Sequence, residues 1–159
     1  MINWFLNFLY SLVFPRTIKC QLTSSDAKLP TQAYKYDAGW DLYATEDVII
    51  PFGKCTEVHT GVCFEIPSGW VGIVFTRSSY GKKGKVVHHG VIDSGYRNEV
   101  SIFIRNSSQC SNKTEAMDIL KGDKIAQIIF FRLPKVKLTQ VNSLSKSERG
   151  KKGHGSSGR

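Results

Sequence analysis

The carboxylate of Asp93 stands where a strand would favour valine or isoleucine. It closes the run Gly90-Val91-Ile92. After it, Ser94-Gly95 breaks the chain before Tyr96-Arg97-Asn98-Glu99 and the alternating run Val100-Ser101-Ile102-Phe103-Ile104. β-prone segments on either side of a turn dipeptide predict a β-hairpin. Taken alone, Asp93 reads first as an aspartate capping its own turn through backbone hydrogen bonds. Its second reading is a carboxylate kept for chemistry, since residues that break a local rule are often functional. The other chemistry-bearing residues say less. Cys20, Cys55, Cys63 and Cys110 show no close metal-ligand spacing. A chain of 159 residues does not need disulfide staples, so reduced thiols in an intracellular protein, cytoplasmic or nuclear, are expected. His88 and His89 are adjacent, and neighbours on a strand point to opposite faces, so the two cannot chelate one ion.

The elements that must position these residues come from a chain long enough for one domain with a real core. Hydrophobic residues make up 41% and charged residues 22%, the balance of a soluble globular protein. The formal charge is +9, which suits an anionic partner: nucleic acid, nucleotide phosphate or acidic membrane. Lys146, Arg149, Lys151, Lys152 and Arg159 concentrate part of that charge near the C-terminus. Residues 1–15 carry no charged side chain, and Ile2, Phe5, Leu9, Leu12 and Val13 recur at helical spacing. The run is too short for a bilayer, which needs about 20 apolar residues. It lacks the basic start and small-residue cleavage site of a signal peptide. Packing on the domain ranks first for this segment, contact with a membrane surface second, secretion third.

From Thr17 the texture becomes that of strands. Thr17–Leu22 alternates, and Trp40–Ala44, Val48–Ile50, Thr56–Ile66 and Trp70–Phe75 are short β-prone runs between turns such as Pro67-Ser68-Gly69. This spacing indicates an all-β sandwich or barrel. Arg77-Ser78-Ser79 is the one place that reads as a helical turn, with a hydroxyl as N-cap. Residues 105–116 are almost wholly polar and predict an exposed loop. Met117–Leu120 resumes the β pattern, and the apolar run Lys124–Phe131 suits a strand buried on both faces. One more strand is expected over Pro134–Leu138. Residues 143–159, rich in Ser, Gly, Lys and Arg, have almost nothing to bury and read as a mobile tail. The divisions expected are therefore an extension over 1–16, a β domain over 17–142 and the tail over 143–159.

Five segments in fixed order give these residues a family. Ala38-Gly39-Trp40-Asp41-Leu42-Tyr43-Ala44, Arg77-Ser78-Ser79-Tyr80-Gly81 and Gly90-Val91-Ile92-Asp93-Ser94-Gly95-Tyr96-Arg97 come first. Gly122-Asp123-Lys124-Ile125-Ala126-Gln127 and the stretch from Arg149 to Gly158 follow. Each is weak alone, but together the chain resembles the trimeric dUTP pyrophosphatases (dUTPases) over residues 17–159. The resemblance implies a jelly-roll-like, distorted β-barrel and a homotrimer whose active sites are each shared among three subunits. It implies attack of water on the α-phosphate of dUTP, releasing dUMP and pyrophosphate and keeping uracil out of DNA.

The resemblance also assigns roles. Asp93 matches the carboxylate that activates water. Arg77, Ser78, Ser79 and Gln127 match phosphate contacts, and Mg2+ would be held mainly by the phosphates. Asp41 either touches that ion's water shell or caps its own turn. The backbone of Gly90, Val91 and Ile92 would read the uracil edge, and Tyr96 would lie under deoxyribose and exclude a ribose 2′-hydroxyl. The Gly-rich tail would close over the nucleotide, with Arg149 at the γ-phosphate end and His154, Gly155, Ser156 and Ser157 at the site. That accounts for the basic tail without direct nucleic-acid binding. His154 stands where the family usually has a Phe stacked on uracil. Asn98 and Gly95 replace a usual Gly and a commoner acidic residue. These departures and the N-terminal segment suggest a viral origin. Two other classes carry this fold: viral relatives that signal through binding without catalysis, and dCTP deaminase. The intact Asp93, Tyr96 and tail favour the hydrolase.

Overall fold

The computed structural model describes residues 17–107 and 115–153. Among them it holds eleven strands and one short helix. The strands are β1 (Lys19–Leu22), β2 (Trp40–Tyr43), β3 (Val48–Ile50), β4 (Cys55–Val58), β5 (Val62–Glu65) and β6 (Trp70–Phe75). After helix α1 (Ser78–Gly81) come β7 (Lys85–Val87), β8 (Val91–Ile92), β9 (Ile102–Asn106), β10 (Met117–Ile119) and β11 (Lys124–Arg132). The expected all-β class holds. Every pairing is antiparallel, in sheets ordered β2-β11-β6-β8, β4-β9-β7, β1-β5 and β3-β10.

Apolar alternation decides which side of each strand enters the core. In β9, Ile102, Ile104 and Asn106 are buried while Phe103 and Arg105 face out, the pattern of a sheet covered on one face. Leu42, Val58, Val74, Val87, Ile119, Ile125 and Ile128 join them from the other sheets in one core. Gly72 of β6 sits against Ile128, Ile66 and Phe130, which an added Cβ would crowd.

Several expectations change. The turn after Asp93 is present, with the Tyr96 N–H donating to the Asp93 carbonyl at 3.0 Å. Its flanking strands do not form a hairpin, however: β8 pairs with β6, and β9 lies between β4 and β7. The turn is a crossover between two sheets, a long-range outcome that a turn dipeptide cannot reveal. At α1 the N-cap is Arg77, extended and without a side-chain cap bond, so no hydroxyl caps it. Asn106, expected in an exposed loop, is buried, its amide donating to the carbonyls of Ile50 (3.0 Å) and Glu115 (2.9 Å); residues 108–114 lie outside the described residues. β11 is central in its sheet, but Ile129 and Phe130 are only partly covered and Phe131 is exposed, so it is not buried on both faces. Pro134–Leu138 forms no strand and is exposed, and no strand among the described residues pairs with it. Residues 1–16 lie outside the described residues. No helix among the described residues is long and apolar enough to cross a membrane.

Candidate active site

The register of β2, β11 and β6 brings three of the five segments to one end of the four-stranded sheet. Asp41 of β2 lies opposite Gln127 of β11, which lies opposite Phe75 of β6. Arg77 follows two residues beyond that strand. Asp41 is 8% exposed, and a buried carboxylate must be paired. Arg77 donates through Nε to its Oδ1 at 2.8 Å, and Lys124 Nζ lies 2.7 Å from its Oδ2. The expectation that Asp41 caps its own turn therefore gives way to two cations. This bond to Asp41 also raises the Lys124 ammonium's pKa. Arg77 is fixed further by its Nη1, which donates to the Lys124 carbonyl at 3.1 Å and faces Ser79 Oγ at 3.4 Å.

Gln127 is locked by the same geometry. Its amide donates to the Thr76 carbonyl at 3.2 Å, and its other end presses on Gly39, where a Cβ would overlap it. That close approach explains the glycine beside Trp40-Asp41. Gly122 (φ 87°) and Asp123 build a turn: Gly122 N–H donates to the Ala44 carbonyl at 2.8 Å, and Asp123 Oδ2 accepts from Leu120 N–H at 3.0 Å. These two residues are structural.

Beside Arg77 an open cleft of about 400 Å³ is lined by Arg77, Ser79, Lys83, Lys85 and Lys124 against one carboxylate, Asp123. Burial and the neighbouring Lys83 lower the Lys85 pKa. Burial, aided by Asp123 and opposed by Arg77, pushes the Tyr80 hydroxyl up to about 12. A cleft with this excess of fixed cations is preorganised for a polyanion. Lys83 and Lys85 lie outside the five segments, and Lys124 lies in the fourth with no role assigned from sequence. Their closeness to Arg77 and Gln127 along the chain was the available signal.

The turn with Asp93 and Tyr96 lies elsewhere. β8 is an edge strand, pairing Ile92 with Gly72 and Val91 with Ile73, while Gly90 carbonyl accepts from Val74 N–H at 2.9 Å. Its outer edge leaves backbone donors and acceptors free for a ligand. Continuing that register sets Asp93 level with Val71, about 20 Å from Arg77 at ~3.3 Å per residue. The Asp93 carboxylate is exposed and makes no hydrogen bond or ion pair among the described residues. Tyr96 is 40% exposed, its hydroxyl donating to the Glu99 carbonyl at 3.0 Å. Ser78 is exposed on α1. Arg149 bonds within the tail, to the carbonyls of Lys152 and Gly153. His154, Gly155, Ser156 and Ser157 lie outside the described residues.

The fold and these two sites define an all-β protein with a cationic cleft at one end of a sheet and a carboxylate-bearing turn at the other. The dUTPase family model matches residues 25–158, and the chain belongs to that family. It is 40% identical to the deoxyuridine 5′-triphosphate nucleotidohydrolase of Clostridium tetani over 146 residues, covering 90% of this chain and 97% of the relative. The enzyme of the same name from Rabbitpox virus is 35% identical over 132 residues, 83% of this chain and 86% of its own. Among solved structures, the Staphylococcus bacteriophage 80alpha dUTPase with dUPNHPP superposes with a TM-score of 0.81 at 31% identity, over 91% of this chain and 100% of that one. A mutant dUTPase of phage phi11 of S. aureus, described as coordinating a structural Mg(II) ion, gives 0.74 at 28% identity, over 80% and 98%.

Proposed function

We propose that this protein hydrolyses dUTP to dUMP and pyrophosphate in a homotrimer, each active site taking its cationic cleft and its Asp93 turn from different subunits. The observation that carries the shared site is the separation of Arg77 and Asp93 at opposite ends of β6. One chain cannot place both at a single α-phosphate. Exposed apolar side chains supply the means of assembly. Val136 and Leu138 are 80% and 95% exposed in the segment after β11, and Val91 and Phe131 are exposed on the sheet's outer face.

At the assembled site, the cleft of Arg77, Ser79 and Lys124 receives the phosphates, with Ser78 and Gln127 beside it. Asp93 accepts a proton from water as the water oxygen bonds to the α-phosphorus. The bond from that phosphorus to the oxygen bridging to the β-phosphate breaks, and pyrophosphate leaves. Fixed cations stabilise the charge moving onto it. Gly90 and Ile92 turn their backbone groups toward β6, so Val91 between them, on the free edge of β8, pairs with the uracil edge, and Tyr96 backs the sugar. Arg149, His154, Gly155, Ser156 and Ser157 close over the nucleotide.

The donor set fits Mg2+ carried by the substrate. No three His, Cys, Asp or Glu side chains converge among the described residues, and both Asp41 oxygens already face cations. That ion keeps its waters and needs few protein oxygens. Bound to the substrate phosphates, it would neutralise part of their charge. An Asp41 role is then confined to the ion's water shell.

Subunit mixing tests the shared site. Asp93→Asn and Arg77→Ala are each expected to lose about 10²-fold or more in pyrophosphate release from dUTP. Refolded together in equal amounts, they should recover about a quarter of wild-type activity, because random trimers place an intact Asp93 beside an intact Arg77 at that frequency. No recovery from well-folded mixed trimers would overturn the sharing.

A further inference from the structure

Glu99 ends the turn that carries Asp93 and Tyr96, and its carboxylate is engaged on both oxygens. Oε1 accepts the backbone N–H groups of Thr60 at 2.8 Å and Gly61 at 2.7 Å, and Oε2 lies 3.2 Å from His59 Nδ1. Burial would raise its pKa, but the bonds from Gly61, Thr60 and His59 outweigh it and leave the carboxyl below its ordinary value. The next residue adds two more ties. Val100 N–H donates to the Val62 carbonyl at 2.8 Å, and Thr60 Oγ1 donates to the Val100 carbonyl at 2.7 Å. The anchor itself is stiff: Gly61 has φ 64°, and a Cβ there would lie 2.6 Å from the Ala27 Cβ. The Tyr96 hydroxyl then donates to the Glu99 carbonyl, joining the aromatic ring to this fixed point.

We propose that Glu99 is a positioning residue for sugar selection: clamped to the Thr60–Gly61 backbone, it holds the carbonyl that fixes the Tyr96 ring as an unyielding wall against a ribose 2′-hydroxyl. The proposal rests on the reading that Tyr96 backs the sugar. A wall rejects an added hydroxyl only if it does not move, because an apolar surface alone discriminates weakly against one. Asp93, Gly95, Arg97 and Asn98 around Tyr96 are exposed, so the turn has little packing of its own to supply that stiffness. The clamp supplies it from the neighbouring strands.

The test compares kcat/KM for dUTP and UTP in the full chain, with melting temperature measured alongside. Glu99→Ala is expected to lower the dUTP-to-UTP ratio about tenfold, the scale on which a small loss of positioning is felt. Glu99→Gln, whose amide oxygen still accepts both N–H groups, should keep the ratio within about twofold. An unchanged ratio in Glu99→Ala overturns the proposal, whatever happens to total activity. So does a Gln variant that loses as much selectivity as the Ala variant. If Glu99→Ala does not fold, Glu99→Asp decides, because its shorter reach pulls the turn: the ratio must fall, and an unchanged ratio overturns the clamp. Tyr96→Ala separates the two claims. Selectivity lost there but kept in Glu99→Ala removes only the clamp, whereas selectivity kept in Tyr96→Ala removes the sugar reading as well.

Discussion

Two carboxylates illustrate what a partner does to a buried or half-buried charge. Asp41 is held by a guanidinium and an ammonium, so its charge serves to orient Arg77 and Lys124 toward the cleft. Glu99 is held mainly by backbone N–H groups, and its pKa is lowered from 4.5. At neutral pH that carboxylate is ionised in both the folded and unfolded chain, and its contribution to stability is complete. As pH falls below the unfolded value the unfolded chain takes up the proton first, so stability declines until the folded value is passed. Glu99→Gln is therefore expected to flatten the fall of melting temperature between about pH 5 and pH 3. A slope would remain from Glu65, lowered in the same direction chiefly by its hydrogen bond to Lys19. An acid limb as steep as that of the wild type would contradict this account of Glu99.

β6 is the ruler of the sheet: β8 aligns along one edge, β11 along the other, and Arg77 emerges from its end. Its geometry depends on Gly72, where an added Cβ would lie 2.9 Å from Ile128 Cδ1 and 3.2 Å from Ile66 Cδ1 and Phe130 Cε1. Gly72→Ala should cost about 1–3 kcal/mol by overpacking, read as a lower urea midpoint with little change in m. Gly95 is a contrast, since an added Cβ there meets nothing within 4 Å. Gly95→Ala should fall within about 0.5 kcal/mol of wild type. Equal effects at the two positions would show that β6 and β11 are not packed as closely as described. β2, β3, β6 and β11 are legible in the sequence from their apolar patterns. β7 is not, because Lys85-Val86-Val87 is too short to show a period.

At the scale of the whole molecule, the segment after β11 presents apolar side chains left exposed among the described residues. Val136, Leu138 and Val141 expose apolar area that a stable monomer would hide. Replacing all three with Ser is expected to convert the proposed trimer to monomer in analytical ultracentrifugation. Activity per chain should drop about tenfold or more at equal concentration, while the β-sheet circular dichroism persists. A trimer of undiminished activity would exclude this segment from assembly.

The sequence by itself determined the β class, because strand periodicity and turn residues are local. It also determined the family, because five short segments keep their order along the chain. Asp93, Arg77 and Gln127 could be named from those segments. Only the tertiary structure decided their grouping. Register across β2, β11 and β6 gathered Asp41, Gln127, Arg77 and Lys124, while the crossing of the Asp93 turn between two sheets set it at the far end of β6. Which strands pair is a long-range outcome, and no spacing along the chain encodes it. For the same reason Glu99 drew no notice as a residue in sequence, and became an anchor only when β4 and β5 brought Thr60 and Gly61 to its carboxylate.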